Sequence, residues 1–160
     1  MFTGQQIAAS FAELGVTHVV YLPDSTLGTW EAEFSRSTQF ELVRVCREGE
    51  AWVVAAGLHL GGQRPIVVIQ STGLFESGDA LRNVLYDLKL PLWSLIGYRS
   101  YLLPNSTDSA KRFCEPILKA WDLDYALIER PDQLPQIVGH LRACAEQGKP
   151  GVVLFAEGKG

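Results

Sequence analysis

Cysteine and histidine are scarce in this chain, three of each in 160 residues, and a single methionine stands at the start. Cys46, Cys114 and Cys144 are odd in number, widely spaced and without a Cys-x-x-Cys pair, so neither a disulfide framework nor a zinc site is expected. His18, His59 and His140 fall in three separate predicted elements and read as structural or surface residues rather than general bases. Basic residues are too few to dominate: 14 Lys and Arg against 18 Asp and Glu leave a net charge of −4. They are also scattered, which leaves no electrostatic footprint for nucleic acid. No run approaches the ~18 apolar residues that a membrane span needs. The opening Met1-Phe-Thr-Gly-Gln-Gln lacks the basic-then-apolar pattern of a signal peptide, so a soluble, unprocessed, cytoplasmic chain is expected. Several catalytic signatures are missing too. The turn after the first predicted strand is Leu22-Pro-Asp-Ser-Thr-Leu27, not Gly-x-Gly-x-x-Gly, and there is no phosphate-binding Gly-x-x-x-x-Gly-Lys loop and no Gly-x-Ser-x-Gly elbow.

What is present is an ordinary globular composition, 47% hydrophobic and 20% charged, fitting one domain over residues 1–160. Thr3 caps a helix whose apolar positions Ile7, Ala8, Phe11, Ala12 and Leu14 share one face, and Gly15 supplies its left-handed end. A strand over 17–22 stops at Pro23, and Asp24-Ser25-Thr26 offers caps for a helix over 27–35. A strand over 40–46, a helix over 51–60 and a strand over 65–70 follow. Ser71-Thr-Gly-Leu74 then leads into a helix reaching residue 88, and a strand covers 91–97. Residues 98–109 have no period and read as a long loop, a candidate lid or partner-facing segment. Beyond it come a helix over 110–121, kinked or restarted at Pro116, a strand at 125–128, a helix over 132–147 and a strand at 151–156. This alternation predicts an α/β fold: a single three-layer domain with a mostly parallel sheet of about six strands flanked by helices.

One corner carries an acid. Glu48 lies between the strand ending near Cys46 and the small-residue helix beginning near Ala51, and ligands of parallel α/β sheets bind at the carboxyl ends of strands. The competing reading is structural: an acid in a first helical turn favours the positive end of the helix dipole. Position alone leaves both open.

Three segments together carry a family resemblance: Pro23-Asp-Ser25; Arg47-Glu-Gly-Glu-Ala51 followed by Ala55-Ala-Gly57; and Pro65 to Gln70 running into Ser71-Thr-Gly-Leu74. In order and spacing they resemble the pyrimidine-binding domain of thiamine diphosphate-dependent decarboxylases. The subgroup is that of the sulfopyruvate decarboxylase alpha subunit and the amino-terminal part of phosphonopyruvate decarboxylase. The likeness covers residues 3–98 well and the rest in outline. It implies that Glu48 hydrogen-bonds a ring nitrogen of the cofactor's aminopyrimidine and so activates it, while Glu50 takes an intervening position. It further implies that Gln70, Ser71, Thr72, Gly73 and Leu74 lie against that ring, and that Asp24 and Ser25 lie near the acidic group of a small 2-oxo acid, phosphonopyruvate or sulfopyruvate.

The family's diphosphate and metal signature, Gly-Asp-Gly with a distant Asn, is missing; the one Gly-Asp is Gly78-Asp79, inside a predicted helix. No metal ligand is therefore expected in this chain. The resemblance implies an alpha subunit of a two-subunit decarboxylase. A diphosphate-binding beta subunit would hold Mg2+ and share the thiamine diphosphate, in a hetero-oligomer of paired chains. Phe75 and Glu76 replace Gly and Asn of the family pattern, and Glu76 would repel an anionic substrate group if it faced one. The alternatives are a subunit of a different thiamine diphosphate decarboxylase or carboligase, and a non-catalytic assembly subunit of the same fold.

Overall fold

Six parallel strands form one sheet in the computed structural model, which describes residues 2–158. They are β1 (His18–Tyr21), β2 (Glu41–Arg44), β3 (Pro65–Gln70), β4 (Trp93–Tyr98), β5 (Tyr125–Ile128) and β6 (Gly151–Ala156), in the order β2-β1-β3-β4-β6-β5. Every residue of β3, β4 and β6 is buried, which explains their continuous apolar sequences: a central parallel strand is covered on both faces. Alternate side chains enter two separate cores. Val19, Tyr21, Ile66, Val68, Leu95, Val153 and Phe155 join α1 (Gly4–Glu13), α2 (Glu31–Arg36) and α6 (Pro135–Glu146) on one side. Val20, Val67, Ile69, Ile96, Val152 and Leu154 join α3 (Glu48–Leu60), α4 (Ser71–Arg82) and α5 (Ser109–Ala120) on the other. The three-layer α/β fold expected from the alternating pattern is the one observed. Met1, Lys159 and Gly160, at the ends of the expected 1–160 span, lie outside the described residues.

Several local expectations hold and several shift. Thr3 caps α1 in a capping box with Gln6, and Gly15 takes the left-handed conformation. The single helix expected over 27–35 is instead a 3-10 turn, Leu27–Trp30, running into α2. Pro116 does not restart α5, which is continuous over Ser109–Ala120 with the proline inside it. Pro116 and Arg112 are both exposed, so the carbonyl that loses its amide partner faces water. The helix expected to run on to residue 88 passes from α4 into a π turn, Asn83–Asp87. No helix among the described residues is long and apolar enough to cross a membrane, and the three cysteines are unpaired.

The strand order places the site. From β1 the chain moves outward to β2 and then crosses back to β3, which opens a crevice over the carboxyl ends of β1 and β3. A second reversal puts β6 between β4 and β5, so the residue after β6 also reaches this end of the sheet.

Candidate active site

Glu48 is the first residue of α3, three residues earlier than the helix start expected from sequence. Two other carboxylates hold the start of the helix, one on an amide of its first turn and one on the segment that enters it. Arg47, in extended conformation at the cap position, provides no side-chain acceptor. Instead Glu50 reaches back to accept from the Cys46 amide at 2.9 Å. From α4, Glu76 accepts from the Gly49 amide at 2.8 Å and from both Nε and Nη2 of Arg47, at 2.9 and 2.6 Å. The Gly49 amide, and next the Arg47 guanidinium, hold the Glu76 carboxyl below its ordinary range. Glu76 is thus committed to the α3 terminus.

Glu48 is left over. It is half-buried and, among the described residues, makes no side-chain hydrogen bond. Its side chain lies across the first turn of α4: a Cβ added to Gly73 would stand 2.8 Å from its Cδ and 2.7 Å from Oε1, and nearer still to Cγ. Only glycine leaves room for this carboxylate. Close approach of the two helices is supported by Gly49, where a Cβ would meet Glu76 Oε2 at 3.4 Å and Ala80 at 3.6 Å.

The β3–α4 corner is ordered by its own side chains. Gln70, nearly buried, accepts from the Thr72 hydroxyl at 3.0 Å and donates through Nε2 to Glu157 Oε2 at 3.3 Å. Ser71 is fully buried and its Oγ accepts from the Arg99 amide at 3.4 Å, while Leu74 belongs to the core shared with Ala51 and Val84. Of the corner residues singled out from sequence, the structure therefore brings Gly73 against Glu48, exposes Thr72, and turns Ser71 and Leu74 inward.

Asp24 caps the 3-10 turn, its Oδ1 accepting from the Thr26 and Leu27 amides at 2.8 and 2.6 Å, and its buried Oδ2 has no partner. Neighbouring Ser25 is exposed on the wall of a cavity of about 580 Å³. Phe2, Leu27, Trp30, Leu102 and Phe155 give this cavity an apolar lining, and Glu157 adds a carboxyl. Glu48 and Glu76 do not line it; Gln70, bonded to Glu157, connects it to the corner that Glu48 overlies.

Glu157 escaped the sequence reading. It follows β6 directly and is 2% exposed, with Oε1 unpartnered over Gly97. Burial, reinforced by the charge of Asp24, raises its pKa from 4.5 to about 8 against smaller opposing effects of Gln70 and Arg99. The signal was available: an acid placed directly after a fully apolar strand obeys the same rule that drew attention to Glu48.

Residues 1–89 match the family described as thiamine pyrophosphate enzyme, N-terminal TPP binding domain. The chain belongs to that family. Among its relatives, a sulfopyruvate decarboxylase of Methanosarcina acetivorans is 27% identical over 122 residues, covering 75% of this chain and 32% of that protein. A phosphonopyruvate decarboxylase of Streptomyces viridochromogenes is 27% identical over 149 residues, covering 90% and 36%. This thiamine pyrophosphate-family chain thus spans about a third of those two proteins. The sulfopyruvate decarboxylase subunit alpha of Methanococcus maripaludis is 21% identical over 140 residues, 86% of this chain and 84% of that one. The crystal structure of benzoylformate decarboxylase from Polynucleobacter necessarius superposes with a TM-score of 0.77 at 24% identity. It covers 96% of this chain and 29% of that protein, a likeness of fold.

At the position where the family resemblance puts the cofactor's aminopyrimidine, Glu48 is a carboxylate with no side-chain hydrogen bond among the described residues, and it fills the space that the missing side chain of Gly73 leaves. No group of three or more His, Cys, Asp or Glu residues that could hold a metal occurs among the described residues.

Proposed function

We propose that this chain is the alpha subunit of a two-subunit thiamine diphosphate-dependent decarboxylase of small 2-oxo acids, and that Glu48 is the acid that engages the cofactor's aminopyrimidine. The observation that carries this reading is the division of labour at the α3 terminus. Glu76 takes the Gly49 amide of the helix terminus and Glu50 the Cys46 amide just before it, while Glu48 takes none, so helix capping does not account for Glu48. A carboxylate kept free of protein partners, beside a glycine that makes room for it, is suited to holding a proton at a ring nitrogen. Bound thiamine diphosphate supplies the electron sink for loss of carbon dioxide; the protein supplies orientation and proton control. Gln70 is held rigidly between Thr72 and Glu157, which fits it to present a fixed edge to a ligand.

The partner is a diphosphate-binding beta subunit that holds Mg2+. The naming of one relative as a subunit alpha, matched over most of its length, supports it. Exposed Val53 and Leu60 share a face of α3 with Gly57, by their spacing, and exposed Tyr86 and Leu88 follow α4, giving apolar surface suited to such a partner. Phosphonopyruvate and sulfopyruvate are the leading substrates, on likeness to the relatives bearing those names. Glu76 poses no obstacle to them, since Arg47 and the Gly49 amide absorb its charge. The test is reconstitution of the chain with a beta chain carrying Gly-Asp-Gly, thiamine diphosphate and Mg2+. Carbon dioxide release from either substrate is expected, lost in Glu48→Gln; no release from any small 2-oxo acid would overturn the reading.

A further inference from the structure

A phosphonate or sulfonate carries charge that must be offset when it leaves water, and the groups that the family resemblance sets beside it do not offset it. Ser25 is neutral, and Asp24 adds a carboxylate whose buried Oδ2 has no partner. Four arginines stand at or just beyond the carboxyl ends of strands: Arg44, Arg47, Arg99 and Arg130. Three of them spend Nε and one Nη on neighbours, Arg44 on Glu31 and Ser35, Arg47 on Glu76, and Arg130 on Asp132. Arg99 differs. Only its Nε is engaged, by Asp108 at 2.9 Å, and among the described residues neither Nη has a protein acceptor. The side chain is 37% exposed, so this edge is open to a ligand.

The fork is also held in place. Asp108 accepts from Arg99 Nε and the Ser100 hydroxyl on Oδ2 and from the Ala110 amide on Oδ1, each at 2.9 Å, which fixes it to the start of α5. The Arg99 amide donates to Ser71 Oγ at 3.4 Å, beside the β3–α4 corner. Ser100, 3% exposed, has a φ of 60°, a left-handed conformation that favours glycine, and strain of this kind gathers at ligand clamps. Leu102 then donates from its amide to the Glu157 carbonyl at 3.0 Å and lines the cavity that Ser25 also lines. Arg99 thus opens a loop that runs from the corner proposed for the cofactor ring to the wall of that cavity.

We propose that Arg99 selects the substrate: its Nη edge donates to two oxygens of the phosphonate or sulfonate of a small 2-oxo acid, while Asp108 keeps Nε and fixes the fork. A guanidinium matches such oxyanions bidentately and stays charged at every working pH. Pairing with Asp108 does not use Arg99 up. The Ala110 amide, ahead of Ser100 and Arg99, holds the Asp108 carboxyl below its ordinary range, so the aspartate does not depend on Arg99 alone and the guanidinium can serve a second anion. Burial raises the pKa of Glu157, Asp24 adds to the rise and Arg99 opposes it, so both charges are felt at that carboxyl, beside the cavity. The inference deepens the proposed decarboxylase reading and rests on it for the substrate class.

The test compares phosphonopyruvate and sulfopyruvate with pyruvate, which lacks the second acidic group, in the reconstituted complex. Arg99→Gln should raise KM for the first two by about 10–100-fold, the loss expected for hydrogen bonds to a charged group, while kcat and the kinetics on pyruvate stay within about twofold. Arg99→Lys keeps the charge without the fork and should fall in between; it stands in if the glutamine variant does not assemble. Calorimetry with 3-phosphonopropionate, which has the phosphonate and carboxylate of phosphonopyruvate but no ketone, reads binding without turnover, and Arg99→Gln should weaken it by a similar factor. An equal rise of KM for pyruvate would make the residue merely structural and overturn the proposal, as would an unchanged KM for all three acids. A complex that decarboxylates none of them, yet binds 3-phosphonopropionate through Arg99, would sink the decarboxylase reading alone. Decarboxylation of phosphonopyruvate or sulfopyruvate by Arg99→Gln at the wild-type KM would sink this inference alone.

Discussion

Replacing Gly73 by alanine tests the Glu48 reading without touching the acid itself. The new Cβ would lie closest to Glu48 Cγ, and 2.7 Å from Oε1 and 2.8 Å from Cδ, where ordinary contact begins at 3.4 Å, so the side chain has to move by an ångström or more. Since Glu48 is half-buried and unbonded, it can swing aside without unfolding anything. Overpacking costs roughly 1–3 kcal/mol, and alanine in place of a helical glycine returns about 1 kcal/mol, so a net loss of no more than about 2 kcal/mol is expected. Chemistry is less forgiving, because a misplacement of about 1 Å can cost on the order of 10²-fold in rate. In the reconstituted complex, exchange of the thiazolium C2 proton, followed by NMR, should therefore fall by about 10²-fold while the melting temperature drops by no more than about 8 °C. Combining Gly73→Ala with Glu48→Gln should be no worse than Glu48→Gln alone, because both act through one contact. A folded Gly73→Ala complex exchanging at the wild-type rate would refute the assignment of Glu48.

Glu48→Gln itself should lower that exchange by about 10²–10⁴-fold, whereas Glu50→Gln, which keeps an acceptor for the Cys46 amide, should be nearly silent in the same assay. Glu157 makes stability pH-dependent. Its folded-state pKa is raised, so its contribution is complete below about 4.5 and is lost as pH rises through about 8. Glu157→Gln should remove a fall on the order of 3–5 kcal/mol across that interval, measured by urea denaturation at several pH values; parallel profiles would count against it. Glu76→Gln should leave substrate preference unchanged and cost no more than about 1 kcal/mol in thermal melts, because Glu76 caps α3 rather than facing the cavity. Asp108→Ala removes the acceptor for the Ala110 amide and the anchor for Arg99 and Ser100, so it should cost about 0.5–2 kcal/mol and speed amide exchange around Ser100. Finally, the isolated chain should bind thiamine diphosphate only weakly by calorimetry; micromolar affinity without a partner would contradict the two-subunit reading.

Periodicity along the chain determined a good deal by itself. Continuous apolar runs at β3 and β6 marked strands, the spacing of Ile7, Phe11 and Leu14 marked α1, and Thr3 marked its start, because each signal lies within one turn or one strand. The place of Glu48 at a strand-to-helix corner was legible for the same local reason. Its freedom was not. That depends on Glu76, 27 residues from the Gly49 amide it accepts from, and on the contact of Glu48 with Gly73; no rule of local spacing states either. Glu76 illustrates the difference: in sequence it looked like a second carboxylate near the substrate, and only the packing of α4 on α3 showed that Arg47 and a helix terminus claim it. Glu157 is the extreme case, since it meets Gln70 across 87 residues of chain solely because β6 inserts between β4 and β5. Local sequence sets which residues stand at the ends of strands; the order of those strands, decided by burial of both sheet faces at once, sets which of them meet, and so which acid is capped, which is free and which keeps its proton.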